Sequence, residues 1–196
     1  MRKTILTAAT GAGLAVATVF ATSTTASAHG YTTSPPSRQQ LCAEGAVSDC
    51  GAIQWEPQSV EGPKGFPGAG PADGSICAGG NTPFAPLDDP RGGDWPATDL
   101  TPGQSATFSW TFTVRHSTST FDYYITNDSY DPTQPLTRAD LEPEPFLSVS
   151  LDGAQPGETE NHQGTVPDKS GRHLILSVWN VADTGNAFYA CSDVDL

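Results

Sequence analysis

The sequence predicts an all-β protein, an antiparallel β-sandwich of the immunoglobulin or fibronectin type III kind, from three observations. Short segments of alternating apolar and polar residues recur through the second half of the 196-residue chain. Clusters of Pro, Gly, Asn and Asp, which favour turns, separate these segments. No stretch shows a long helical period of apolar residues. We therefore expect two packed sheets, with a long structured loop carrying short helices between the first strands.

The clearest strand covers residues 106–114. Phe108, Trp110 and Phe112 alternate there with Thr and Ser, as expected of a strand with one buried face. Further strands are predicted at residues 121–126, 173–179 and 187–193, and at residues 146–151, where Leu147, Val149 and Leu151 alternate with serines.

A long segment at residues 51–99 interrupts this pattern. Residues 61–75 alone contain eight Gly or Pro. Segments of this length without regular structure are usually either functional or disordered. We favour an ordered, surface-forming loop because large apolar residues that can pack are spread through it, namely Ile53, Trp55, Phe66, Ile76, Phe84 and Trp95.

The first 28 residues have the pattern of a secretory signal peptide. A basic start at residues 1–3 precedes a mostly apolar stretch, and Ala26-Ser27-Ala28 supplies the small residues that signal peptidases accept. A membrane anchor is the alternative, but the apolar stretch is short, and no basic stop-transfer segment follows it. We expect cleavage after Ala28, secretion to the extracellular space, and a single domain at residues 29–196 that begins with His29.

The predicted mature chain is strongly acidic. The signal peptide contains two of the nine Lys and Arg and none of the 22 Asp and Glu, which leaves seven basic residues, 22 acidic residues and a net charge of −15. Binding to nucleic acid or to an anionic membrane needs clustered basic residues, so we expect neither partner. A neutral partner such as an uncharged polysaccharide fits better, and we expect the protein to be a monomer.

All four cysteines follow the predicted cleavage site. An even number in an exported chain predicts two disulfides, and three pairings are compatible with the sequence alone. We favour Cys42 with Cys50, which closes a short loop, and Cys77 with Cys191, which ties the long loop to the last strand. A zinc site is the alternative, although no pair has CxxC spacing.

Four histidines remain after the predicted cleavage, and His29 would carry a free α-amine beside its imidazole. These two nitrogens can chelate one metal ion, and a second imidazole would complete three nitrogen ligands in a plane, a set that suits copper. His116 is the preferred second ligand because it follows the strand at residues 106–114 and shares the parity of its apolar face. A packed or hydrogen-bonded histidine is the alternative at such a position.

Five segments together resemble the bacterial lytic polysaccharide monooxygenases of auxiliary activity family ten, formerly described as chitin-binding proteins. The segments are HGYTTSPPSRQ, WEPQSVEGPKGFPGAGPADG, TVRHSTS, DPTQPLTRADL and VWNVADTGNAFYACSDVDL. The resemblance implies a copper-dependent enzyme that cleaves crystalline chitin oxidatively, with attack expected at C1. It also implies one copper ion per chain, an external electron donor, and dioxygen or hydrogen peroxide as co-substrate.

The same resemblance implies roles for individual residues. His29 and His116 match the two copper-binding histidines of the family. Phe188 matches the aromatic residue at the axial side of the metal, and Glu61 matches a carboxylate beside the site. The flat face that lies on chitin is matched by Trp55, Glu56, Thr113, Asp183 and Asn186.

Two positions depart from the family pattern. Val114 stands where many members have alanine, which predicts a more crowded approach to the solvent-facing side of the metal. Gly164 stands at a position that resembles a half-cystine, and a Cys77–Cys191 bridge would compensate for its loss.

Other functions fit parts of the sequence. A non-catalytic chitin-binding module would use the same flat face, but binding alone gives no reason to combine an N-terminal histidine with His116 and Phe188. The same enzyme acting on cellulose is a further alternative. A hydrolase would need two carboxylates flanking a cleft, and no acidic pair in the sequence fits that pattern.

Overall fold

The computed structural model describes residues 28–196, so the predicted signal peptide, except for Ala28, lies outside the described residues. In this described part the chain forms two packed β-sheets, with the long loop covering the outer face of one of them. The helices found there are all too short or too polar to cross a membrane.

Residues 28–196 contain nine strands and six short helical segments, which are joined by loops. The strands are β1 His29–Ser34, β2 Glu61–Pro63, β3 Thr98–Asp99, β4 Ser105–Val114, β5 Thr118–Ile125, β6 Leu147–Ser150, β7 Thr159–Thr165, β8 Arg172–Val181 and β9 Asn186–Asp195. The α-helix α1 spans Arg38–Ala43, and 3-10 turns cover Gly51–Trp55, Pro57–Ser59, Thr82–Leu87, Arg91–Gly93 and Arg138–Asp140.

The smaller sheet has the strand order β1-β4-β7, and both pairings are antiparallel. On its central strand, Phe108, Trp110 and Phe112 point inward and are almost fully buried. The intervening Ser and Thr side chains therefore lie on the opposite, outward face, because successive side chains of a strand alternate between faces.

The larger sheet has the order β2-β9-β8-β5-β6, and β3 joins β9 in parallel. Its inner face packs on the smaller sheet around Phe121 and Trp179, and its outer face packs on the long loop around Leu176 and Tyr189. Since β8 and β9 are covered on both faces, nearly all of their residues are buried, and burial does not alternate along either strand.

The long loop is ordered, as predicted. Ile53, Ile76, Leu87 and Trp95 are almost fully buried against the larger sheet. Both favoured disulfides are present: Cys42–Cys50 joins α1 to the residue just before the loop, and Cys77–Cys191 fastens the loop to β9.

The five predicted strands are confirmed, although most are longer than predicted. Sequence analysis did not predict the outer strands of the smaller sheet, His29–Ser34 and Thr159–Thr165. Both pair on one side with β4, and both are rich in polar residues because one face of this sheet is exposed. Neither therefore shows the apolar alternation on which the prediction relied.

A buried ion pair joins α1 to the last strand. Nε of Arg38 donates to Oδ2 of Asp193 at 2.7 Å, and Nη2 donates to Oδ1 at 3.1 Å. Only 4% and 2% of the two side chains are exposed. Nη1 of the same guanidinium donates to the Leu87 carbonyl at 2.8 Å. One side chain therefore connects the helix, the last strand and the long loop.

Replacing Arg38 with Met should lower the free energy of unfolding by about 3 kcal/mol, because it leaves the Asp193 carboxylate buried with a weaker partner. The remaining cation, Arg172, lies 3.6 Å from that carboxylate. Denaturant titration of the disulfide-intact protein, followed by tryptophan fluorescence, measures the loss.

Arg91→Met is the matched control for this prediction. The guanidinium groups of Arg38 and Arg91 both stack on Trp95, 4.8 and 4.7 Å from the ring centre. Arg91→Met removes this stacking and one exposed hydrogen bond to the Asp49 carbonyl, and it should cost about 1 kcal/mol or less. Equal losses in the two variants would show that the ion pair contributes nothing beyond stacking.

Candidate metal centre and substrate face

The pairing of β1 with β4 brings the two predicted ligands to one end of the smaller sheet. His29 begins β1 and lies opposite Val114, the last residue of β4. His116 follows Val114 by two residues, and 18% of its side chain is exposed. Val114 itself is 39% exposed, so the buried face of β4 ends at Phe112.

Gly30 permits this close pairing. A Cβ atom at this position would lie 2.6 Å from a ring carbon of Phe112, far inside van der Waals contact. Any side chain at residue 30 would therefore push β1 away from β4 and displace the neighbouring His29.

The apolar ring of Phe188 lies beside His29. The Phe188 ring centre lies 6.5 Å from that of His29, and the ring is fully buried. Trp179 on β8 packs against Phe188 at 4.8 Å between ring centres. The register of β9 also places Phe188 opposite Glu61 of β2.

Glu61 is held at both its side chain and its backbone. Its Oε1 accepts a hydrogen bond from Nδ2 of Asn186 at 2.6 Å. Its carbonyl accepts one from Nδ2 of Asn81 at 2.6 Å. Sequence analysis proposed Glu61 and Asn186 separately, but it missed Asn81, because a contact across 20 residues of loop leaves no local pattern.

A carboxylate faces the imidazole of His116. Oδ1 of Asp183 lies 3.0 Å from Nδ1 of His116, and 62% of the Asp183 side chain is exposed. The contact is close but not aligned as a hydrogen bond, and Nδ1 is buried. The other ring nitrogen of His116, Nε2, does not face Asp183.

An open depression of about 770 Å³ lies beside His29. Among the predicted site residues it is lined by His29, Glu56, Glu61 and Asn186. The other predicted members of the flat face lie outside this depression and remain exposed: Trp55 at 82%, Thr113 at the end of β4, and Asp183 against His116.

Arg138 is a second residue that sequence analysis missed. Its guanidinium donates to the carbonyls of Pro67, Ala69 and Pro71 and to Oδ1 of Asp73. The Arg138 side chain holds the pKa of the Asp73 carboxyl below its usual range. Because Pro71 lines the depression, this side chain fixes one of its walls.

The other two histidines are structural. Nδ1 of His162 lies 2.7 Å from the Tyr123 hydroxyl, and Nδ1 of His173 lies 2.9 Å from the Thr126 hydroxyl. Burial lowers the pKa of both imidazoles. Among residues 28–196, no three His, Cys, Asp or Glu side chains form a ready metal-binding group. The third nitrogen of the predicted ligand set is the backbone nitrogen of His29.

That nitrogen is a peptide nitrogen while Ala28 is attached. Ala28 is 3% exposed and packs with the residues between the two sheets. Cleavage between Ala28 and His29 would convert the amide into a primary amine, whose lone pair can bind a metal.

A family model described as "Lytic polysaccharide mono-oxygenase, cellulose-degrading" matches residues 29–194. A relative from Streptomyces ambofaciens named "Lytic chitin monooxygenase" is 46% identical over 94% of this chain and 92% of its own length. Two further curated relatives are longer proteins, of which the chain spans 52% and 36%.

Solved structures share the fold. A lytic polysaccharide monooxygenase from Streptomyces lividans has a TM-score of 0.84 and 56% identity, covering 86% of this chain and 100% of that one. A Bacillus amyloliquefaciens CBM33 protein in complex with Cu(I) has a TM-score of 0.78 and 40% identity, covering 86% and 99%. With the matched family model and the β-sandwich, these similarities establish that the chain belongs to the lytic polysaccharide monooxygenases of auxiliary activity family ten.

Proposed function

We propose that this chain is secreted, loses residues 1–28, and acts as a copper-dependent monooxygenase that cleaves crystalline chitin oxidatively at C1. The observation that carries the proposal is the β1–β4 pairing, which brings His29 and His116 to one end of the sandwich beside the ring of Phe188. Copper has a precedent in the fold, since a solved neighbour was determined with Cu(I).

The donor set fits one copper ion per chain. The imidazoles of His29 and His116, with the amine that cleavage would expose, provide three nitrogens, a set that suits copper. Since Nδ1 of His116 faces Asp183, Nε2 is the nitrogen available for the metal. When bound, copper would supply the one-electron chemistry that links an external donor and dioxygen or hydrogen peroxide to oxidation of the sugar.

The surrounding residues would control access and orientation. Phe188 presents a buried apolar ring, which offers no ligand atom and excludes water on its side of the site. Glu61 presents a carboxylate, fixed by Asn186, that can accept a proton or a hydrogen bond from the oxygen co-substrate. Val114 lies opposite His29 and is partly exposed, so its side chain would narrow the path from solvent to the proposed copper site.

An exposed face suits an insoluble polymer better than a single chain held in a cleft. Trp55 is 82% exposed and offers a ring on which a sugar can stack. Polar groups lie at the same end of the molecule: Glu56 and Asn186 line the depression beside His29, Asp183 contacts His116, and Thr113 precedes Val114 at the end of β4. The predicted net charge of −15 favours a neutral polymer over nucleic acid or an anionic membrane.

Chitin is the proposed substrate because of the motif around Trp55 and Glu61 and the name of the Streptomyces ambofaciens relative. Cellulose is the second candidate because the description of the family model includes it. Parallel digestion of both polymers, with products identified by mass spectrometry, decides between them, and aldonic acids would identify attack at C1.

Processing should determine copper affinity. A chain that retains Ala28, or carries one Met before His29, should lose tight copper binding, because the third nitrogen remains an amide. Isothermal titration with Cu(II) compares the extended chain with the one that begins at His29. Equal affinities would refute the proposed ligand set.

His116→Ala should abolish oxidised products and reduce copper affinity sharply, since it removes one of three nitrogens, while binding to chitin persists. His162→Gln is the matched control, because it removes a histidine that contacts Tyr123 and is remote from the proposed site. It should lower stability and leave copper affinity unchanged. If His116→Ala kept full oxidative activity, or the wild type made no oxidised fragments, a chitin-binding module would be the better description.

Trp55→Ala should weaken binding to chitin and leave copper binding intact, the reverse of the result expected for His116→Ala. Loss of an exposed stacking ring should cost about 1 to 2 kcal/mol of binding to chitin. The Cu(II) electron paramagnetic resonance spectrum should remain that of a three-nitrogen site. Depletion isotherms on chitin measure the affinity, and an unchanged isotherm would remove Trp55 from the substrate face.

Asp183→Asn tests whether this carboxylate orients His116 in addition to contacting substrate. Carboxylates beside metal-binding histidines typically contribute about tenfold or more in metal affinity. We expect a loss of about tenfold in copper affinity and a changed copper hyperfine coupling. Asp99→Asn, at an exposed acid on β3, should change neither quantity. An unaltered spectrum in Asp183→Asn would limit Asp183 to substrate contact.

A further inference from the structure

The outward face of the smaller sheet is built almost wholly from hydroxyl and amide side chains. The β1–β4 and β4–β7 registers bring these side chains together, because directly paired residues of antiparallel strands lie on the same face. We call this surface the hydroxyl face; it consists of Tyr31, Ser34, Ser105, Thr107, Ser109, Thr111, Thr159, Asn161, Gln163 and Thr165.

The hydroxyl face carries no Asp, Glu, Lys or Arg, although the predicted mature chain has a net charge of −15. In the three strands β1, β4 and β7, Glu160 is the one such residue. Its partner in the register is Trp110, which points into the core, so Glu160 belongs to the inner face. A broad uncharged surface on so acidic a protein suits a neutral partner.

Hydrogen bonds between strands order this face. The Ser109 hydroxyl donates to Oδ1 of Asn161 at 2.7 Å, and Nε2 of Gln163 donates to the Thr107 hydroxyl at 2.6 Å. The Ser105 hydroxyl donates to Oε1 of Gln163 at 3.2 Å. Side chains that are already ordered lose little conformational entropy when a ligand binds.

The hydroxyl face is also continuous with the proposed substrate face. Tyr31 lies two residues after His29 and pairs with Thr111, whose neighbour along the outward side of β4 is Thr113. Thr113 is one of the residues proposed to contact chitin. A polymer surface that passes the end of the sandwich at Thr113 can therefore reach the hydroxyl face.

We propose that the hydroxyl face is a second contact surface for the same neutral polysaccharide, an inference that rests on the proposed function. Sugar hydroxyl and amide groups can both donate and accept hydrogen bonds, as can the hydroxyl and amide groups of this face. Two linked contact surfaces hold an enzyme on a solid polymer more tightly than either one alone.

The test replaces two exposed side chains of β7 with longer charged ones. Asn161→Lys combined with Gln163→Lys raises two cations above the flat surface, on an outer strand where Lys is well tolerated. The matched control is Ser148→Lys with Ser150→Lys on β6, the outer strand of the larger sheet. Both double variants change the net charge equally.

Depletion isotherms on chitin should show about tenfold weaker binding for the β7 variant, which loses several hydrogen bonds, and a change of less than about twofold for the control. Circular dichroism and copper titration verify that each variant is folded and binds metal. If the β7 variant does not fold, Thr159→Val with Thr165→Val removes two hydroxyls and keeps the side-chain shape; it should weaken binding about threefold.

Three results separate this inference from the proposed function. Oxidised products from the wild type, with unchanged chitin binding in the folded β7 variant, would overturn the hydroxyl face alone. No oxidised products from the wild type would overturn the proposed function. A wild-type dimer that the β7 variant separates, seen by sedimentation velocity, would make the face an interface between two copies and would also overturn the inference.

Discussion

The antiparallel pairing of β1 with β4 is the constraint on which the rest of the site depends. It sets His29 opposite Val114 and therefore at the same end as His116. The pairing is close because residue 30 is glycine, since a side chain there would collide with Phe112. The β1–β4 ladder fixes the backbone of His29, and His116 lies two residues beyond the end of β4, so the same pairing determines the end of the sheet at which both residues lie.

Connections distant in sequence hold the rest of the site. Arg38 links α1 to β9 and to the long loop, and Cys77–Cys191 joins the same loop to the same strand. The loop can then present Glu61 beside Phe188 and form the depression next to His29. Its irregular backbone is thus anchored from several directions, which gives a glycine-rich and proline-rich segment a defined surface.

The distribution of charge separates two kinds of surface. Most acidic side chains are carried by loops and by the edges of the larger sheet, while the outward side of the smaller sheet is uncharged. An exposed tryptophan and neutral hydrogen-bonding groups favour contact with a flat, uncharged polymer. The proposed site therefore needs no deep cleft, because a polymer surface lying on it would itself exclude water.

The sequence by itself determined the β-sandwich, five of its strands, both disulfides and the candidate residues His29, His116, Glu61 and Phe188, because these follow from local alternation, spacing and family resemblance. Only the tertiary structure decided how these residues meet. It revealed the hydrogen bond from Asn81 to the Glu61 carbonyl, the hydrogen bonds from Arg138 to the long loop, and the contact of Asp183 with His116. It also revealed the outer strands of the smaller sheet. Contacts between residues far apart in the chain depend on strand register and loop packing, and neither leaves a periodic signal in the sequence.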